Sequence, residues 1–138
     1  MDARETIEAY YDCLRAGEPL GPYFRTPAAG ADPVKVGISE RLVGLDAIRA
    51  GLREQTETTT DWTVESRDLR VTARTDVAWF SDAVELSWTA TERGRRIEFD
   101  TRWSGTLERG DRWQFVGMHV SAPTEIDTFN RQATEQGG

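Results

Sequence analysis

Apolar and polar residues follow one rhythm in the first part of the chain and another in the second. Ile7, Tyr10, Tyr11 and Leu14 recur at three- and four-residue steps and form one apolar face. That spacing predicts a helix over Ala3–Ala16, with Gly17 as its stop. Gly21 to Pro33 is rich in Gly, Pro and Ala, so it reads as loop with a short turn at Tyr23 and Phe24. A short strand follows at Val34–Ser39. Leu45, Ile48 and Leu52 share a face and predict a second helix from Leu45 or Asp46 to about Thr56, with Asp46 placed to cap it. Glu57–Asp61 is polar and Thr-rich, a turn.

Beyond it the pattern is that of strands, expected at Trp62–Ala73, Val77–Thr91, Arg95–Glu108 and Arg112–Ala122. The turns Arg74-Thr75-Asp76, Glu92-Arg93-Gly94 and Arg109-Gly110-Asp111 are short, which favours antiparallel hairpins. Helices first and a strand meander after them give an α+β fold, with helices on one face of a curved sheet. The whole of residues 1–138 reads as a single domain, with a polar tail that frays from about Pro123.

Strict alternation on the last strand puts Trp113, Phe115, Gly117, His119 and Ser121 on one face and Val116, Met118 and Val120 on the other. Both faces are then largely apolar, whereas a sheet covered by helices on one side needs one apolar face. Two readings follow: a homodimer through the sheet, or a strand buried on both sides in a monomer.

Composition narrows the partners. The net charge is −7, which argues against nucleic acid and anionic membranes. No apolar run approaches the roughly 20 residues that span a bilayer, and the acidic, amphipathic start is unlike a signal peptide, so a cytoplasmic protein is expected. One cysteine, Cys13, excludes an internal disulfide and reads as packing. With a single histidine as well, no zinc site and no cofactor are expected. The basic residues are sixteen arginines and one lysine, Lys35, against 24 acidic residues, a halophile-like or high-GC composition.

The run Arg102, Ser104, Gly110, Asp111, Arg112, Trp113, His119 and Ser121, with "TDVAWFS" at Thr75–Ser81 and "GLDAI" at Gly44–Ile48, resembles the SnoaL-like branch of the nuclear transport factor 2-like (ketosteroid isomerase-like) superfamily. The resemblance covers nearly the whole chain. It implies a cone: N-terminal helices packed on a strongly bent antiparallel sheet. Gly117 stands where the family often carries a second polar residue or histidine. The isomerase relatives' carboxylate base and Tyr–Asp oxyanion hole have no full match, since no aspartate falls on Val34–Ser39. The epoxide hydrolase relatives' Asp–Arg–Asp set is matched only by Asp100 and Arg102.

The resemblance turns the His119 face into the cone. His119 is then either a general base or ligand contact, or a buried neutral imidazole. Arg102 is either a carboxylate clamp or part of an outward charge ladder with Glu98 and Asp100, the more so because Ile97, Phe99, Thr101 and Trp103 form the more apolar face. Ser121 joins His119 on the expected floor. Tyr10, Tyr11, Trp62, Trp79, Trp88 and Trp103 are candidate walls, Tyr10, Trp79 and Trp103 foremost, with ordinary packing as the alternative. Asp82 and Glu85 lie on opposite strand faces and read as solvated carboxylates. The function expected is a small-molecule pocket for an apolar or carboxylate- or carbonyl-bearing ligand. The alternatives are a cofactor-independent isomerase or cyclase using His119, and a non-catalytic association module. Absence of a Gly-rich phosphate loop, a nucleophile elbow and a metal-ligand cluster argues against phosphoryl transfer, serine hydrolysis and zinc chemistry.

Overall fold

A computed structural model describes residues 1–27, 30 and 32–123; the tail expected to fray lies almost wholly outside the described residues. Helix α1 spans Ala3–Ala16. Its start is a capping box: the Asp2 carboxylate accepts from the Glu5 N–H at 2.8 Å, and Glu5 accepts from the Asp2 N–H at 3.0 Å. Gly17, at φ 70°, ends it in the left-handed conformation that glycine adopts without penalty. A single 3₁₀ turn follows at Gly21–Tyr23.

Two short strands, β1 (Val34–Val36) and β2 (Arg41–Val43), form a hairpin that the sequence pattern showed only in its first arm. Helix α2 is Leu45–Thr58. Asp46 does not cap it. Gly44 occupies the N-cap with no side-chain hydrogen bond, and Asp46 lies in the first turn, where its charge faces the positive end of the helix dipole. The helix runs straight into strand β3 (Thr59–Ser66), so the Thr-rich stretch expected as a turn is shared between the two elements.

Strand β4 (Arg70–Ala73) and the long strands β5 (Val77–Ala90), β6 (Arg95–Arg109) and β7 (Trp113–Ser121) complete a sheet of order β2-β1-β7-β6-β5-β3, with β4 also on β5. The β1–β7 pairing is parallel, so the sheet is mixed rather than wholly antiparallel. Both helices pack on its inner face. Ile7, Tyr10, Tyr11 and Leu14 of α1 and Ile48 and Leu52 of α2 meet Val84, Leu86, Trp103, Leu107, Phe115 and Met118.

The single strand expected at Trp62–Ala73 is broken. Ser66 pairs with Val84 and Arg70 with Ser81, so the three residues Arg67, Asp68 and Leu69 stand against the two residues Asp82 and Ala83. Asp82 fills the break: its carboxylate accepts from the Asp68 N–H at 3.0 Å and the Ser66 hydroxyl at 2.6 Å.

A second irregularity overturns the strict alternation on β7. Leu107 pairs with Phe115 and Thr106 with Gly117, leaving Val116 as the extra residue of a β-bulge. Trp113 and Phe115 face the core, but after the bulge it is Met118 and Val120 that are buried, while His119 is exposed and Ser121 half-buried on the outer face. Met118 and Val120 therefore belong to the core and not to a dimer surface.

Opposite the bulge the sheet needs glycine. A Cβ on Gly105 would collide with the Gly117 carbonyl oxygen and lie 2.8 Å from Phe80 Cε1, whereas one on Gly117 would meet nothing within 4 Å. Gly105→Ala is expected to cost about 1–3 kcal/mol in urea unfolding, and Gly117→Ala less than about 0.5 kcal/mol. Equal costs would place the close contact elsewhere.

Candidate functional site

The helices and the concave sheet face flank a cavity of about 290 Å³ that opens to solvent. That is near the lower end for small-molecule pockets. Tyr10 enters it from α1, and Trp103, Leu86, Trp88 and Val120 enter from the sheet. Trp62 of β3 and the β1–β2 turn, Gly37–Glu40, form the rim with Gln55 and Thr58 of α2.

The walls are held rigidly. The Tyr10 ring packs edge-on against Phe115 at 5.3 Å, Tyr23 at 5.5 Å and Trp103 at 6.0 Å. Trp62 and Trp88 stack at 4.6 Å. The Trp103 indole N–H donates to the Thr101 hydroxyl at 2.9 Å, and Thr101 in turn donates to the Val84 carbonyl at 2.6 Å. That indole nitrogen is thus already engaged, and Trp103 offers the cavity an apolar surface.

Among the polar groups of the lining, Tyr10, Lys35 and Glu40 stand together with the aromatic wall. The Tyr10 hydroxyl has no hydrogen-bond partner among the described residues; burial holds its proton well above the ordinary phenol range, and the Glu40 charge adds to that. Lys35 occupies the inward position of β1 and is 6% exposed. Its ammonium lies 3.2 Å from Glu40 Oε1, and the Glu40 side chain is 39% exposed. The pair thus has a buried cationic end and a solvent-reaching anionic end. Such a pair draws its specificity from position more than net energy, since desolvation offsets much of the attraction.

Next to the cavity, the Tyr11 hydroxyl donates to Asp82 Oδ2 at 2.8 Å, and its ring meets Trp103 at 5.2 Å. Asp82 is 5% exposed, not solvated as expected, and its two oxygens accept three hydrogen bonds, with no cationic partner among the described residues. This network ties α1 to the break between β3 and β4.

The structure divides the expected site residues between two places. Tyr10 and Trp103 line the cavity. His119, Arg102 and Ser121 come together, but on the outer face, in a shallow open depression with Asp68, Arg70, Ser81 and Ser104. His119 stands opposite Ser104, and Arg102 opposite Ser121. The His119 ring does not look into the cone, because the Val116 bulge reverses the parity that would have aimed it there. Arg102 takes the outward side with Glu98 and Asp100. Trp79 is 45% exposed on the same outer face, with the Arg74 guanidinium 5.4 Å from its ring centroid.

Lys35 and Glu40 were not among the expected site residues. The signal for Lys35 was its solitude among sixteen arginines. Glu40 had none, because it sits in a turn just past an expected strand. Among the described residues, no group of three His, Cys, Asp or Glu side chains is arranged to hold a metal ion, and no helix is long and apolar enough to cross a membrane.

The model of the SnoaL-like domain family matches residues 4–125. A comparison with curated proteins finds no match. Among solved structures the chain is similar to a protein from Streptomyces avermitilis described as a candidate dehydratase of the NTF2-like family. The TM-score is 0.79 and the identity 16%, covering 88% of this chain and 94% of that one. A ketosteroid isomerase-like protein from Erwinia carotovora atroseptica gives a TM-score of 0.72 at 18% identity, over 88% of this chain and 93% of that one. A candidate scytalone dehydratase from Novosphingobium aromaticivorans gives 0.75 at 13% identity, over 88% and 81%. At these identities the likeness shows the fold alone.

Burial and the Asp82 charge push Tyr11 ionisation well above its ordinary 10.0. The unfolded chain releases that proton near pH 10.0, so the folded state binds more protons in this alkaline window and stability falls as pH rises beyond it. Tyr11→Phe is expected to lose about 1–3 kcal/mol at neutral pH and to show a shallower alkaline decline. Parallel alkaline slopes for the two proteins in urea unfolding would refute this assignment.

Proposed function

The chain belongs to the SnoaL-like domain family, and from that premise we propose that its cone binds a small, largely apolar molecule carrying a carbonyl or carboxylate oxygen. The observation that supports this most directly is the contrast within one cavity: tryptophan walls facing an unengaged Tyr10 hydroxyl and a buried Lys35 ammonium. Flat ring systems gain from burial against Trp88 and Trp103. An oxygen on the ligand gives the Tyr10 phenol an acceptor and adds a second acceptor to the ammonium already paired with Glu40.

A second reading, a cofactor-independent enzyme, is favoured by Glu40. A carboxylate at the rim of this aromatic-walled cavity, near a phenol that stays protonated, is a base paired with a hydrogen-bond donor. In that reading Glu40 takes a proton next to a carbonyl whose oxygen Tyr10 holds. It replaces His119, whose ring is on the other side of the sheet.

The outer face is proposed as the surface for a second copy of the chain. Exposed Trp79 and Val77, with small Ser81, Ala83 and Ser104 beside them, give a sheet surface that a partner sheet can approach closely. Light scattering at moderate and high salt is expected to give about twice the chain mass. A monomer at both salts would sink the dimer.

The cavity is tested with 2-naphthoate and 2-naphthaldehyde, read by tryptophan fluorescence and calorimetry. Tyr10→Phe is expected to weaken binding about fivefold to tenfold, which is roughly 1 kcal/mol. His119→Ala and Arg102→Ala are expected to leave Kd unchanged. Loss of binding in the His119 or Arg102 variants, with Tyr10→Phe neutral, would move the site to the outer face.

A further inference from the structure

Lys35 differs from every other cationic side chain of this protein in what it can do chemically. A guanidinium keeps its proton, whereas a primary amine can give it up and then act as a nucleophile. The one lysine lies buried between half-buried Val34 and Val36, on a strand that places it on the cavity wall. Its only ionic partner among the described residues is Glu40. Glycine at 37 lets the two meet: a Cβ there would lie 3.2 Å from Glu40 Oε1 and 3.4 Å from Lys35 Nζ.

We propose that Lys35 is a covalent attachment site, forming an imine with an aromatic or polycyclic aldehyde or ketone held in the cone. The proposal rests on the reading of the cavity as a ligand site. The proton passes from Lys35 Nζ to Glu40. The amine lone pair then forms a bond to the carbonyl carbon, the C=O π pair moves onto oxygen, and that oxygen takes the proton from Glu40. A second proton travels from the nitrogen to Glu40 and on to the carbinolamine hydroxyl, which leaves as water while the nitrogen lone pair closes the C=N bond. The balance is one ammonium and one carbonyl compound converted to one iminium ion and one water, with no change of oxidation state. The Glu40 carboxylate faces a single positive charge at the start and at the end. Tyr10 supplies a hydroxyl to the carbonyl oxygen from the same cavity.

The test is reductive trapping of the full chain with 2-naphthaldehyde and cyanoborohydride, followed by intact mass and peptide mapping. With one lysine, the only competing amine is the Met1 α-amino group, which serves as an internal standard. One naphthylmethyl group on Lys35 is expected, formed about tenfold or more faster than on Met1, with Glu40→Gln slowing the Lys35 reaction about tenfold or more and leaving the Met1 rate unchanged. Trapping at Lys35 no faster than at Met1, or unaffected by Glu40→Gln, overturns the proposal. Fluorescence titration with 2-naphthoate, which forms no imine, separates the two readings. Naphthoate binding without selective trapping overturns the imine alone, while absence of both overturns the cavity as a ligand site and the imine with it.

Discussion

Side chains alternate across a strand only while the ladder is unbroken, and in this protein one extra residue at Val116 decides what the cone contains. Before the bulge the inward residues are Trp113 and Phe115. After it they are Met118 and Val120, and His119 is turned out. An unbulged strand would have brought an imidazole into the cavity and moved two apolar side chains to the surface. The bulge closes the core with thioether and aliphatic groups. Gly105, across the sheet, is the condition for it, since any larger residue would strike the Gly117 carbonyl and Phe80.

A second fixed point is Asp82. A buried carboxylate is tolerable only when its lone pairs are filled, and here a phenol, a hydroxyl and a backbone N–H donate to it. Those donors come from α1, the end of β3 and the link to β4. The carboxylate therefore ties helix to sheet at the point where the sheet edge breaks. Tyr11 is consumed by that role, and its neighbour Tyr10, one step along the helix, keeps a hydroxyl free for the cavity.

The cavity lining is mixed, with tryptophan faces on the sheet side and polar groups on α2 and the β1–β2 turn. Trp103 has its indole nitrogen satisfied by Thr101, and Trp62 has its own satisfied by Thr59, so both present apolar faces. Beside them stand the Tyr10 phenol, the Lys35–Glu40 pair, and Glu54, Gln55 and Thr58 of α2. In the proposed reading this combination orients an oxygen-bearing ligand and leaves its ring system to the aromatic walls.

The sequence by itself determined the two helices, the long hairpins and the family resemblance. Ile7, Tyr10, Tyr11 and Leu14 and the short Gly- and Asp-bearing turns express local periodicity and local backbone preference, which need no tertiary partner. Trp103 was placeable too, because β6 alternates without a break and the apolar side of that strand was visibly the one bearing it, whereas Arg102 stayed open between a cavity clamp and an outward ladder until the structure turned it outward. What only the tertiary structure decided was anything set by a neighbour. The parallel seat of β1 on β7, the burial of Asp82, the pairing of Lys35 with Glu40 and the outward turn of His119 all depend on register between strands distant in sequence. A bulge leaves no mark in hydrophobic patterning when both flanking faces are apolar, as Val116, Met118 and Val120 are. The physical reason is that a strand's own residues fix its period, while the strand beside it fixes its phase.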